Sequence, residues 1–342
     1  VNIGAIECRN RVAMAPCTRC MRPNAVPTDD VAAYYERRAA DGVGLLISEG
    51  PVICARGNGY PDVPGIYTTE QIEAWRRVTD RVHAAGGKIA CQIWHVGAVA
   101  HPRTTGGVLP ESPSGLSPTG DIRRLRRPDG SYEQYGASEA VTEERIHELI
   151  GLYRQAARNS IDAGFDGVEI HGAHGYLIDQ FTNLKWNRRE DGWGGENRTR
   201  FAREVAEAVV EEVGVDRAWM RISPVMSVSG EGWQRPGDTF PRLLADLWGT
   251  GLRTLHISNL DFDEVIMPGG LTLHEAARKH WDGLLIGVGA LTPERADRAI
   301  QDGEIGVAAF GRALIANPDF VSRARAGTEL EAYRADMLDT LI

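Results

Sequence analysis

The sequence predicts one α/β domain folded as a single (β/α)8 TIM barrel, with a capping excursion after the third strand. Three observations predict it. Short apolar runs alternate with helical stretches eight times along the chain, the pattern of a parallel sheet closed by helices. No change of composition divides the 342 residues into two regimes, and that length suits one barrel. Glycine pairs follow the seventh and eighth runs, the second with an arginine, where such barrels commonly hold phosphate.

The elements follow in order. Residues 11–16, R-V-A-M-A-P, form a first strand stopped by proline. Thr28 is expected to cap a helix to about residue 40, with Asp29 and Asp30 in its first turn. Residues 43–49 are a second strand. Thr69 and Glu70 open a helix that Gly86 and Gly87 end. Residues 88–94 are a third strand. Residues 95–140, rich in Gly, Pro, Ser and Arg, are too long for an ordinary connection and read as a lid within the barrel domain of residues 1–342. Thr142 starts a helix to about residue 163, and residues 167–171 are the fourth strand. An irregular stretch, 183–197, precedes a helix to about residue 213. The remaining strands are 219–223, 254–258, 283–287 and 306–310. Helices are expected over 240–248, over 271–280, and from Pro293 to about residue 301.

Composition excludes several partners. A net charge of −9 argues against nucleic acid and against an anionic membrane surface. No apolar run approaches the roughly 20 residues of a membrane span. Cys8, Cys17, Cys20, Cys54 and Cys91 are an odd set in a long chain, as expected of reduced cytoplasmic thiols. The Cys17/Cys20 spacing has no thioredoxin-like unit around it.

Chemistry concentrates at the strands' C-terminal ends. The fourth strand runs V-E-I-H-G-A-H-G-Y and delivers His171, His174 and Tyr176. A helical turn after His171 would point both imidazoles the same way. Two neutral donors beside a phenol suit a substrate oxygen that gains negative charge. A zinc site would need a third ligand, with Asp179 the only carboxylate just beyond; no metal is expected. A nucleophilic dyad lacks a Gly-x-Ser-x-Gly elbow. The other strand ends carry Ala15, Pro16, Cys17 and Thr18; Ser48, Glu49 and Gly50; Gln92, Trp94 and His95; and Arg221. Gly289 with Ala290, and Gly311 with Arg312, supply amides and a cation for phosphate. Arg221 requires a partner; an ion pair with Glu49 or Glu169 is one way to supply it.

Seven stretches carry a resemblance: N-R-V-A-M-A-P-C-T-R from Asn10, L-L-I-S-E-G from Leu45, G-Y-P-D-V-P-G-I-Y from Gly59, Q-I-W-H-V-G from Gln92, E-I-H-G-A-H-G-Y-L-I-D-Q-F from Glu169, R-I-S-P from Arg221, and F-G-R-A-L-I-A-N-P-D from Phe310. In this order they resemble the old yellow enzyme family of flavin-dependent ene-reductases over essentially the whole chain. Thr18 at the flavin-facing position, where the thermophilic-like branch has cysteine, sets the chain apart from that branch.

The resemblance implies non-covalent FMN and NAD(P)H as reductant. By the family pattern Ala15, Pro16, Thr18, Gly50 and Gln92 would hold the isoalloxazine. Arg221 would lie by N1 and O2, and Gly289, Ala290, Gly311 and Arg312 would hold the phosphate. His171 and His174 would bind the carbonyl or nitro oxygen of an activated alkene. Tyr176 would protonate Cα after hydride reaches Cβ, and Tyr60 and Trp94 would shape the pocket. The chain departs from the family at Ala98, where arginine is usual, and at Thr340-Leu341-Ile342, where an aromatic tail is usual. Two other readings share the site: a desaturase or dehydrogenase running oxidatively, and a flavin-binding protein without turnover. Iron–sulfur relatives are set aside because no cysteine follows Cys91. The expected state is monomer or homodimer.

Overall fold

The computed structural model describes residues 1–21, 23–227 and 232–342, and over these the chain closes a barrel of eight parallel strands. They are β1 (Val12–Met14), β2 (Leu45–Ile47), β3 (Ile89–Ile93), β4 (Gly167–His174), β5 (Ala218–Ser227), β6 (Thr254–Ser258), β7 (Leu284–Val288) and β8 (Val307–Phe310). Each pairs with its neighbours in sequence, and β8 closes on β1 with Ala309 opposite Ala13. The fold class expected from the sequence is the one observed.

Strand alternation divides the core in two. In β3, Ile89, Cys91 and Ile93 pack outward beneath the helices, while Ala90 turns into the barrel. The barrel interior collects Ala13, Leu45, Ile47, Ala90, Trp219, Ile286 and Val307. Its floor is closed by a small hairpin that the sequence reading did not anticipate: Asn2–Ile3 pairs with Ile6–Glu7, and Ile3 and Ile6 join the same interior cluster. Gly4 makes the turn at φ +57, where a Cβ would fall 2.0 Å from the Asp216 carbonyl oxygen.

The helices are α1 (Asp29–Asp41), α2 (Thr69–Ala84), α3 (Glu143–Asp162), α4 (Leu177–Thr182), α5 (Arg200–Val213), α6 (Pro236–Gly249), α7 (Leu273–Arg278), α8 (Pro293–Gln301), α9 (Arg312–Ala316) and α10 (Phe320–Ala326). Thr142 caps α3 as expected, accepting from the Arg145 amide at 3.2 Å. Three expectations need correction. Thr28 stands at the α1 cap position, but its hydroxyl donates to Asp30 instead of accepting a backbone amide. Helix α2 does open at Thr69 as expected, and Thr68 before it is the cap: Thr68 accepts from the Gln71 amide at 3.2 Å and Gln71 Oε1 accepts from the Thr68 amide at 3.1 Å, a reciprocal box. Helix α6 begins at Pro236, since Arg235 turns left-handed at φ 57 and proline is pre-shaped for a first turn. Residues Leu271–Thr272, expected in a helix, pair instead with Val265–Met267.

The segment between β3 and α3 builds two small sheets of its own, Glu111–Ser112 with Glu139–Ala140 and Asp121–Arg126 with Tyr132–Gln134. No described helix is long and apolar enough to cross a membrane.

The floor hairpin and the strand ends lie at opposite ends of the barrel. Ile6→Ala should cost about 2–5 kcal/mol in urea denaturation, the usual cost of deleting a buried branched side chain. It should leave cofactor affinity at the other end unchanged; a loss of affinity without a loss of stability would contradict this separation.

Candidate active site

Strand β4 is longer than the sequence suggested and carries both histidines. His171 lies within it, and the register with β5 shifts between Gly172 and His174. The two imidazoles are brought together by backbone reversal, not by the helical turn expected. His174 is left-handed at φ 64 and Gly175 follows at φ 81. Both peptide groups of this reversal are held. The His174 amide donates to Ser223 Oγ at 2.7 Å, and the Gly175 amide donates to the Asp179 carboxylate. Gln180 Nε2 donates to the carbonyls of Gly175 at 2.7 Å and Val96 at 3.1 Å, while its Oε1 accepts from the Ala98 amide at 3.1 Å. The other Asp179 oxygen accepts from Trp233 Nε1. Asp179 thus serves the turn, and among the described residues no three His, Cys, Asp or Glu side chains are grouped to hold a metal.

Five rings then meet. His171 and His174 lie edge to face with centroids 5.2 Å apart, and Tyr176 lies edge-on to His171 at 5.1 Å. Trp94 stacks on His171 at 5.8 Å and meets the Tyr176 ring at 4.8 Å. Tyr60 stacks on Trp94, and its hydroxyl lies 3.2 Å from that of Tyr176.

A backbone hydrogen bond assigns the His171 tautomer. His171 Nδ1 accepts from the Ala173 amide at 3.3 Å, so its proton is on Nε2. Ser258 Oγ accepts from Arg221 Nη2 at 3.1 Å and lies 3.0 Å from His174 Nε2. Ser258 Oγ keeps both a second lone pair and its own proton, so this contact accommodates either tautomer of His174. Burial first, and then the Arg221 charge, hold His171 down at about 3 and His174 well below its ordinary value. Both rings are neutral at pH 7, and His171 keeps its Nε2–H to donate.

Beneath them the barrel interior is polar. Glu169, fully buried, accepts from Gln92 Nε2 at 2.8 Å, Trp219 Nε1 at 2.6 Å and His256 Nδ1 at 2.7 Å. Burial opposes its charge, but His256, Arg221 and the Trp219 donor together bring its carboxyl to about 2. The ion pair considered for Arg221 is not formed: among the described residues its side chain bonds only Ser258, and its buried Nε has no partner.

A cleft of about 350 Å³ opens beside this cluster. Of the residues expected to hold a cofactor, Ala15, Pro16, Arg221, Gly289, Ala290, Gly311 and Arg312 line it, with His174 at its edge. Gly50 and Gln92 are not in its lining; Gly50 packs at the end of β2, where a Cβ would stand 3.2 Å from Gln92 Oε1 and 3.0 Å from Trp94. Thr18 is half-buried just past Cys17, also outside the lining. Ala290 is left-handed at φ 49, and a Cβ on Gly289 would lie 2.7 Å from the Phe262 nitrogen, so the β7 turn approaches its neighbours closely. Sequence reasoning missed His256, Ser258, Ser223 and the role of Glu169. The alternation that turns Glu169 and His171 inward does the same for His256 and Ser258, and would have found them.

A planar anionic group fits this arrangement. It would satisfy the orphaned Arg221 nitrogen, with glycine amides and Arg312 left for a phosphate. The fold and the cleft together fit a TIM-barrel protein that holds an anionic cofactor at its strand ends.

The chain belongs to the NADH:flavin oxidoreductase / NADH oxidase family, the old yellow enzyme family, whose FMN-class model matches residues 1–331. It is 40% identical over 341 residues to 12-oxophytodienoate reductase 7 of Oryza sativa subsp. japonica, covering 95% of this chain and 86% of that protein. It is 37% identical over 344 residues to 12-oxophytodienoate reductase 2 of Arabidopsis thaliana, covering 97% and 88%. Among solved structures, the old yellow enzyme homologue of Zymomonas mobilis matches with a TM-score of 0.91 at 34% identity, over 99% of this chain and 94% of that one. Morphinone reductase in complex with tetrahydroNAD matches at 0.91 and 36% identity, over 99% and 92%.

The Asp179 clamp makes a pH prediction. Burial raises its carboxyl from the ordinary 3.8 to about 7, against the pull of Trp233 and the Gly175 amide. Between those values the folded state keeps a proton that the unfolded state has lost. This group's contribution to stability is therefore greatest at low pH and falls as pH rises toward about 7. Urea titrations across that range should show Asp179→Asn with a flatter pH dependence than the parent; identical slopes would refute the shift.

Proposed function

We propose that this protein reduces the C=C bond of α,β-unsaturated carbonyl or nitro compounds with NAD(P)H, using FMN held non-covalently in the cleft. The observation that carries the reading is the convergence of two neutral imidazoles and a tyrosine hydroxyl beside a buried, incompletely satisfied arginine. Bound FMN supplies hydride transfer between the nicotinamide and the alkene. Arg221 meets the pyrimidine edge of the ring, where its free Nε has an acceptor. Gln92, held through Nε2 by Glu169, keeps Oε1 for an imide N–H. Ala15, Pro16, Thr18 and Gly50 pack on the ring, and Gly289, Ala290, Gly311 and Arg312 take the phosphate.

His171 and His174 each donate one N–H to the substrate oxygen. Because both are neutral, they hold an oxygen without giving up a proton themselves, and their bonds strengthen as charge gathers there. Tyr176 holds the proton for Cα. Its hydroxyl is kept in place by Tyr60 and by the ring contacts with Trp94 and His171. Residues 95–140 act as a lid on the single barrel domain of residues 1–342. His95 and Glu111 in it are fully buried at 3.0 Å from one another, and Val96, Val99 and Ala100 share a cluster with Trp94 and Tyr176.

The reading is tested on purified protein, which should be yellow and release FMN on denaturation; release of FAD would sink it. Tyr176→Phe should leave reduction by NAD(P)H nearly intact and slow reoxidation by enones roughly 10²–10⁴-fold, as expected on losing a general acid. Reoxidation at the parent rate would assign the proton to another donor.

Arg312→Ala and Arg221→Ala should both weaken FMN binding, by different routes. Arg312 loses a charge-assisted bond to phosphate, about 1.5–3 kcal/mol. Arg221 also loses a cation beside the developing charge, so the flavin potential should fall in that variant alone. An unchanged potential on removing Arg221 would refute its placement.

A further inference from the structure

His256 has no part in the chemistry proposed above, yet it occupies a telling place. The strand register sets His171, Arg221 and His256 side by side across β4, β5 and β6. His256 is fully buried and gives its Nδ1 proton to Glu169 at 2.7 Å. Among the described residues its buried Nε2 has no hydrogen-bond partner. An imidazole with one bare nitrogen thus lies between a fixed anion and a fixed cation. The groups facing it are Glu169, His171 and His174 from β4, Arg221 from β5 and His274 from α7; its own strand adds only the Ser258 hydroxyl. Burial leads in keeping His256 neutral; Glu169 pulls toward protonation and Arg221 against it.

We propose that His256 takes up a proton when the flavin gains negative charge beside Arg221, so that two-electron reduction in this protein carries two protons. The inference rests on the FMN reading and on the placement of Arg221. The charge count supplies the reason. With oxidised flavin, Glu169 and Arg221 cancel and His256 is neutral. Hydride from the nicotinamide adds one negative charge to the ring and leaves the nicotinamide oxidised. A solvent proton on His256 Nε2 then restores neutrality in a site where an uncompensated buried charge is costly. The new anion also offsets the Arg221 charge that had opposed protonation. His171 and His174 feel the same anion, but neither has a carboxylate bonded to it, so His256 is the better acceptor. When hydride leaves for the alkene, the ring loses its charge and His256 returns its proton to solvent.

The test is the midpoint potential of the bound flavin against pH, by spectroelectrochemistry. Each proton carried with two electrons changes the equilibrium tenfold per pH unit, about 30 mV. The parent should therefore fall by about 60 mV per pH unit around neutrality, and His256→Asn by about 30. Glu169→Gln, which removes the carboxylate favouring protonation, should also fall by about 30 mV per pH unit. A parent slope of about 30 overturns the proposal outright. A steep slope that survives in His256→Asn, or in Glu169→Gln where the histidine variant does not fold, places the second proton on the ring or another residue and also overturns it. Failure of the FMN reading is seen separately: the visible spectrum then shows no bound flavin before any potential is measured.

Discussion

One buried carboxylate ties the upper barrel together. Glu169 stands on β4 and accepts donors from β3, β5 and β6, through Gln92, Trp219 and His256. A carboxylate in that position would be strongly unfavourable alone, because burial penalises the charge. Three N–H groups and a nearby guanidinium reverse the balance. In return it fixes the orientation of each donor. The Gln92 amide is turned, the His256 tautomer is chosen, and Trp219 is anchored where it fills the barrel floor. Four consecutive strands are thereby locked in one register just below the site.

Arg221 sets the electrostatics above that layer. Its charge is buried without a carboxylate bonded to it, and its effect reaches every imidazole in the mouth. His171 and His174 are kept neutral by burial and by this cation together. Through Ser258 the same guanidinium is also linked to the His174 ring. Burial and this one side chain together keep the histidines from acting as acids, and the side chain has one nitrogen of its own unsatisfied for an anionic ligand. Removing a partner from such a network costs more than the bond itself, since a buried charge is left behind.

Much of this was legible in the sequence, for reasons that are local. The eight strands show as short apolar runs because both faces of a parallel strand are buried. His171, Tyr176, Arg221 and Arg312 stand at strand ends, where barrel chemistry collects. What was missed depends on tertiary partners. No pattern in the sequence announces that His174 adopts φ 64, because the donors and acceptors that hold it come from β5 and α4. The polar layer of Glu169 and His256 lies one inward position below the strand-end residues, and Glu169 reads from sequence only as a possible partner of Arg221 because its bonds to Trp219 and His256 come from other strands. The floor hairpin escaped because two-residue strands carry no periodicity. Thr68 and Thr69 are adjacent and chemically alike; only the reciprocal bond with Gln71 tells which one caps α2.

The backbone of the mouth explains why the site is built where it is. A non-glycine residue in the left-handed region costs of the order of 1 kcal/mol or more, and persists only where its surroundings over-determine it. Here such residues include His174 in the turn after β4 and Ala290 in the turn after β7. At His174 the compensation is visible bond by bond: Ser223 takes its amide, Asp179 and Gln180 take the N–H and the C=O of Gly175, and Ser258 meets its ring. An ordinary helical turn would need none of these, but would start Tyr176 from a different backbone direction. The reversal instead lets β4 end in His174 and α4 begin immediately after Tyr176, so that the rings of His174 and Tyr176 each stand about 5 Å from that of His171. The strain and the hydrogen bonds that offset it are spent on that convergence, which is the feature on which the proposed chemistry depends.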